Sequence, residues 1–250
     1  MANWSDPKAG LQGEARVGLD TGARDVAYDA GLRSYMLKVY NYMASGILLT
    51  GIVAMLFARG GVESPAATII MSGGLLSWVI MLSPLAFILV MSFGMNRMST
   101  GALQACFWAF ATVMGLSLST IFLRYTGTSI AQTFFATSAA FVSLSLWGYT
   151  TKKDLSGWGT FLIMGVVGLL VAMVINIFLQ SQAMAYVISG IGVLVFAGLT
   201  AYDTQKIKSM YQYVAGTDMM GKTVIMGALN LYLDFINMFL FLLNFMGGRE

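Results

Sequence analysis

The sequence predicts an all-α membrane protein of seven transmembrane helices, and three observations predict it: composition, the length of the apolar runs and the placement of charge. The 250 residues are 58% hydrophobic and 10% charged, with a mean hydropathy of +0.76, whereas a soluble domain carries about 25% charged residues. Seven stretches reach the ~20 mostly apolar residues that a helix needs to cross a ~30 Å hydrocarbon core. These runs are continuous rather than alternating, which selects helices over a barrel, because backbone in lipid must satisfy its own hydrogen bonds. The charges fall at the ends of the runs. Of 25 in all (14 basic plus 11 acidic), residues 1–34 hold nine, four basic and five acidic.

Taken in order, residues 1–34 read as a soluble, cytosolic amino-terminal tail and residues 35–250 as the seven-helix transmembrane domain. No apolar core of a secretory signal lies within the tail, so the amino terminus is expected to stay uncleaved. The spans are expected at 39–58, 66–91, 102–123, 129–149, 159–180, 184–204 and 223–247. Only the connection at 205–222 exceeds ten residues. Pro84 sits inside the second span and should kink it by removing one backbone hydrogen bond. Gly165, Gly168, Gly190 and Gly198 are small enough to let helices approach closely. Trp147, Tyr149 and Trp158 flank Lys152 and Lys153, as interfacial anchors do.

Orientation follows from Lys and Arg near the span ends. One side collects Arg24, Arg33, Lys38, Arg97, Lys152, Lys153, Lys206, Lys208 and Lys222, and the other Arg59, Arg124 and Arg249. That asymmetry places the amino terminus in the cytosol and, with seven spans, the carboxyl terminus outside; the expected location is a cell membrane, the inner one in a bacterium.

Several functions are excluded. The net charge of +3 is spread singly between apolar runs and forms no stripe for nucleic acid. Cys106 is the only cysteine and falls in an apolar run, so neither an internal disulfide nor a cysteine metal site is possible. The chain has no histidine, which removes Ser-His catalysis and the usual sensor of pH near neutrality. Proton chemistry must therefore use carboxylates, and no metal centre or cofactor is expected beyond weak Ca²⁺ binding.

Spans one to five contain no Asp or Glu, which leaves Asp203 near the end of the sixth span and Asp234 in the middle of the seventh. A bilayer-centre aspartate costs about 2.5–3.5 kcal/mol on insertion scales, so such a residue faces protein or a water-filled cavity. Asn230, Asp234, Asn237 and Asn244 stand at i, i+4, i+7 and i+14 and form one polar stripe, so the seventh helix belongs inside the bundle. The asparagines alone are explained by interhelical hydrogen bonding. Two carboxylates close together in a site of low dielectric titrate as one unit. Their oxygens also suit a hard cation, and because Ca²⁺ takes six to eight oxygens, two Asp imply a weak, transient site of the kind conduction needs.

The runs Ala201-Tyr202-Asp203-Thr204-Gln205-Lys206-Ile207-Lys208, Leu231-Tyr232-Leu233-Asp234-Phe235-Ile236-Asn237 and Lys152-Lys153-Asp154-Leu155-Ser156 resemble those of the Bax inhibitor-1 family over roughly residues 35–247. The resemblance implies six helices wrapped around a central carboxyl-terminal seventh. It also implies a pH-sensitive calcium leak, in which Asp203 and Asp234 share a proton. Some members carry an acid in the second span and an Arg near its end that latches to the first aspartate; here the span has no acid, and Arg97 is the nearest candidate latch. Other bacterial relatives are associated with a membrane protease. The alternative function is therefore a regulator that binds a membrane protease or death-pathway partner without conducting ions. An aspartyl protease fits less well, because Leu231-Tyr232-Leu233-Asp234 replaces the Gly-x-Gly-Asp of those enzymes and the only prolines are Pro7, Pro65 and Pro84; no enzymatic activity is expected. The lack of lysine in the seventh span excludes retinal chemistry.

Overall fold

Long, continuously apolar runs satisfy every backbone group in lipid by forming α-helices. The computed structural model describes residues 7–70 and 73–248, with side-chain surroundings from residue 26 onward. Seven long helices follow in order: α1 (Pro7–Phe57), α2 (Leu75–Gly94), α3 (Thr100–Leu118), α4 (Gly127–Thr150), α5 (Ser156–Leu179), α6 (Gln182–Val214) and α7 (Met219–Met246). All seven contain a stretch long and apolar enough to cross a membrane. The chain is an integral multi-pass membrane protein.

Hydroxyls mark several helix starts. Ser99, Thr126 and Ser181 accept from the backbone N–H of Ala102, Ser129 and Met184 and so satisfy otherwise orphaned donors of α3, α4 and α6. Gln180, at φ 50°, ends α5 in the left-handed region. Its neighbour Ser181 donates its N–H to the Asn176 side chain at 3.1 Å, which closes the tight turn into α6.

Four boundaries differ from those expected. The third helix stops at Leu118 rather than at 123, because Ile121–Arg124 is a separate short helix. The second span begins at Leu75 rather than at 66, because residues 66–70 form a separate short helical segment and Gly73 takes φ 68° just before α2. The first span is continuous with the helical chain from Pro7, so the division at residue 34 is one of composition and not of backbone. The sixth helix does not stop at 204. It runs ten residues further, to Val214, and the connection to α7 shrinks from 205–222 to 215–218. Thr200, Thr204, Ile207 and Tyr211, at i, i+4, i+7 and i+11, are all buried, so one face of α6 keeps packing while Lys206 and Ser209 remain exposed on the other. Tyr211 lies against Tyr28 and Tyr35 of α1, with ring centroids 5.2 and 5.4 Å apart.

The seventh helix is the centre of the bundle. Of its most apolar stretch 67% is buried, against 33% or less in every other span. It packs on α6, α1, α4 and α3, while α2 lies chiefly on α3 and α5 on α6. The six helices therefore surround α7 as an inner group of four with two outside. Pro84 lies within α2 and cannot donate to the carbonyl of Ile80. That carbonyl instead accepts from Ser117 Oγ of α3 at 2.6 Å and from Ser83 Oγ at 3.0 Å.

Among the glycines singled out for close packing, Gly165 faces Val195 and Gly198 faces Leu162, where α5 meets α6, but Gly168 and Gly190 face open space. A tighter approach is at Gly148 of α4, where a Cβ would strike the backbone of Ala201 in α6. This contact sets the spacing of the two helices beside Asp203.

Candidate functional site

Asp234 sits in the most buried part of α7, between Leu231, Tyr232, Phe235 and Met238, all themselves buried. Only 4% of the residue is exposed. Its Oδ2 has no hydrogen-bond partner, and among the described residues the one other buried side-chain polar atom in that condition is Tyr35 Oη. Asp203 lies on α6, half-buried. It stands 11 residues before Val214 and Asp234 15 residues after Met219, so across this antiparallel pair the two differ in depth by about four residues, or about 6 Å. Counting instead from Lys206 and Lys222 as the cytosolic border gives a mismatch of about 13 Å; the continuation of the sixth helix to Val214 and the start of the seventh at Met219 remove about half of that. The Asp203 carboxylate acts electrostatically on Asp234, and Lys206 acts on Asp203. No hydrogen bond joins the two carboxylates in this structure.

The other site residues predicted from sequence are placed as follows. Asn230, Asn237 and Asn244 are half-buried on α7. Asn237 Nδ2 donates to the Leu233 carbonyl at 2.8 Å. Asn237 and Asn244 line a cavity of about 370 Å³ with Asn176 of α5 and Ser189 of α6, toward the end of the bundle away from Lys206 and Lys208. Arg97 is exposed in the turn after α2, and among the described residues no ion pair links it to Asp203. Asp203 and the stripe thus lie on two helices that pack against each other, and Arg97 stands apart in the turn after α2. No group of three or more acidic, His or Cys side chains occurs among the described residues, so a cation here would rely on two carboxylates together with amide, carbonyl or water oxygens.

Two hydroxyl relays and one amide clamp frame the site. Thr204 Oγ1 donates to the Thr200 carbonyl at 2.7 Å, which leaves Ser145 as donor to Thr204 at 2.9 Å and Tyr40 as donor to Ser145 at 2.6 Å. The relay ties α1, α4 and α6 together immediately beside Asp203. In the second, Thr50 Oγ1 donates to the Ala111 carbonyl at 2.8 Å, so Tyr232 Oη donates to Thr50 at 2.7 Å, joining α7 to α1 and α3. Gln205 holds the loop between α4 and α5: its Oε1 accepts from Leu155 N and its Nε2 donates to the Lys153 carbonyl, both at 2.8 Å. The sequence runs around Asp154 and Asp203, far apart in the chain, are therefore clamped together. In the same loop the exposed Asp154 accepts from Ser156, and these hydrogen bonds, from the hydroxyl first and the backbone N–H second, hold its carboxyl below the usual range.

Sequence reasoning missed Tyr40, Thr50, Ser145 and Thr204. Ser and Thr are common in apolar helices and satisfy themselves on the preceding turn, so nothing in their spacing marks the few that reach across to another helix.

The family described as inhibitor of apoptosis-promoting Bax1 matches residues 32–250. A protein of Rickettsia prowazekii is 47% identical over 93% of this chain and 97% of its own length. One of Caulobacter vibrioides is 45% identical over 90% and 93% respectively. The inner membrane protein YbhL of Escherichia coli is 41% identical over 88% of this chain and 94% of its own.

Proposed function

The chain belongs to the Bax inhibitor-1 family, and from that premise we propose that it is a pH-sensitive cation leak, for Ca²⁺ first, whose gate is the Asp203 and Asp234 pair. One observation carries the reading: a carboxylate at the centre of the bundle, enclosed on all sides, with one oxygen unpartnered. Such a group is costly as an isolated anion, and the cost is relieved in two ways, by a proton or by a cation. The nearby Asp203 makes the two carboxylates compete for the same proton. A pair that shares one proton keeps a single negative charge and ties up its facing oxygens, whereas the fully ionised pair offers two carboxylates to a cation that enters from the bundle end bearing Lys206. The half-buried amides of Asn230 and Asn237, one turn to either side of Asp234, continue the polar path along α7. No bond is made or broken, so the reading is not that of an enzyme.

The inner-membrane name of YbhL and the charge asymmetry of the spans support placement in a bacterial cell membrane, with the tail of residues 1–34 in the cytosol. Flux from liposomes containing the purified chain, measured against pH and against cation, tests the mechanism. Asp203→Asn and Asp234→Asn should each flatten the pH dependence, and the double variant should resemble either single one, because a shared proton is lost once. Additive effects, or unchanged dependence in both, overturn the shared proton. Absence of flux together with retention of a membrane protease or other partner points to the regulator function instead.

A further inference from the structure

Between α1 and α4 the bundle is not closed. A cavity of about 530 Å³ lies between them, lined by Arg33, Leu37, Tyr40 and Ala44 on one side and by Ser145 and Tyr149 on the other. It continues through Ala44 and Phe141 into a second of about 500 Å³ that reaches Phe235 of the central helix. Leu37, Leu48, Val142 and Leu146, on the walls and lips, are half or more exposed, so the groove opens sideways, where acyl chains run. At its Arg33 end the character changes. Arg33 and Tyr149 also line a third cavity of about 680 Å³, shared with Asp29, Gln205, Lys208 and Gln212. Lys208 Nζ is held at this mouth by the Tyr149 carbonyl at 2.8 Å and lies 4.8 Å from the centre of its ring, which leaves N–H groups to spare. Arg33 is exposed, and among the described residues no ion pair occupies it or Lys208.

We propose that this groove seats one anionic phospholipid, with its phosphate between Arg33 and Lys208 and an acyl chain laid along α1 and α4. Two cations against the single carboxylate of Asp29 leave one net positive charge, the complement of a phosphodiester. The length suffices as well. The first cavity alone runs from Arg33 to Ala44, 11 residues or about 16 Å of helix, one leaflet of a ~30 Å core is about 15 Å deep, and the second cavity extends the trough beyond that. A polar, cationic mouth in line with an apolar trough is the shape of a lipid, whereas a partner helix would find its apolar face opposed by Arg33 and Lys208. The seat touches Tyr40 and Ser145, the first two members of the relay that ends beside Asp203, and it stands whether or not the protein conducts.

Native mass spectrometry of the full-length chain tests the seat, with phosphatidylglycerol and phosphatidylcholine of identical acyl chains as probes. One phosphatidylglycerol should be retained in preference to phosphatidylcholine. Arg33→Gln and Lys208→Gln should each weaken it about fivefold, the effect of about 1 kcal/mol per basic residue at an anionic headgroup, and together abolish the preference. Ala44→Trp, or Val142→Trp if the first does not fold, should lower retention of both lipids by filling the trough. Thermal melting of each variant reports folding. Equal retention of the two lipids by the unmodified chain overturns the proposal. So does a preference that survives in the double variant, wild-type retention by the tryptophan variants, or displacement of the lipid by glycerophosphoglycerol, which would reveal a headgroup site without a trough.

Discussion

Tyr35 and Tyr232 are both fully buried, at 0% exposure, and differ in what their hydroxyls meet. Tyr232 donates to Thr50, which is itself bound to Ala111, and its ring packs edge-on against Phe107 and Phe110. Tyr35 Oη has no partner. Because a made hydrogen bond contributes about 1 kcal/mol whereas a buried orphan hydroxyl costs about 1–3 kcal/mol, Tyr232→Phe should lower thermal stability in detergent and Tyr35→Phe should leave it unchanged or raise it. Equal losses in the two variants would contradict this assignment of partners. Asp234 was legible in the sequence because its charge is so expensive in lipid that its mere presence in a span is informative. Thr50 and Ser145 were not, because a hydroxyl in a helix costs little wherever it points.

At the scale of the helix, Pro84 was legible and its compensation was not. Proline necessarily frees the carbonyl four residues before it, but that Ser117, 37 residues away in the chain, donates to the freed Ile80 oxygen depends on how α2 and α3 pack. Ser117→Ala should therefore destabilise the protein by about 1–2 kcal/mol in the presence of Pro84 and by less in a Pro84→Ala background, where the backbone N–H restores the bond. Thermal melting of the four-variant cycle measures the coupling, and a cycle without coupling would show that the hydroxyl does not replace the lost donor. The end of α6 carries the same lesson. Hydropathy stops at Thr204 because Gln205, Lys206 and Lys208 follow, whereas the helix continues because Ile207 and Tyr211 are buried, against Gly227 of α7 and Tyr35 of α1. Polarity along a line marks where lipid ends, not where a helix does.

For the whole molecule, the strongest expectation left to test is orientation. In a Cys106→Ser background, Ser5→Cys should label only from the cytosolic side and Gly248→Cys only from outside; labelling of both from one side would overturn an odd number of spans. Composition and run length by themselves determined the membrane class and the count of seven spans, because those follow from transfer energies that act on each residue separately, and the helical spacing of Asn230, Asp234, Asn237 and Asn244 determined the central place of α7. The same energies picked out Asp203 and Asp234. Tertiary structure alone decided how the two approach, through a sixth helix prolonged by packing. It also decided that Arg97 stands apart from Asp203 in this structure, that Gln205 clamps the loop around Asp154, and that α1 and α4 leave a groove open to the bilayer. Each of these depends on which face of one helix meets which face of another, and in lipid, where an apolar side chain is nearly as comfortable outside the bundle as within it, hydrophobic pattern carries little of that information.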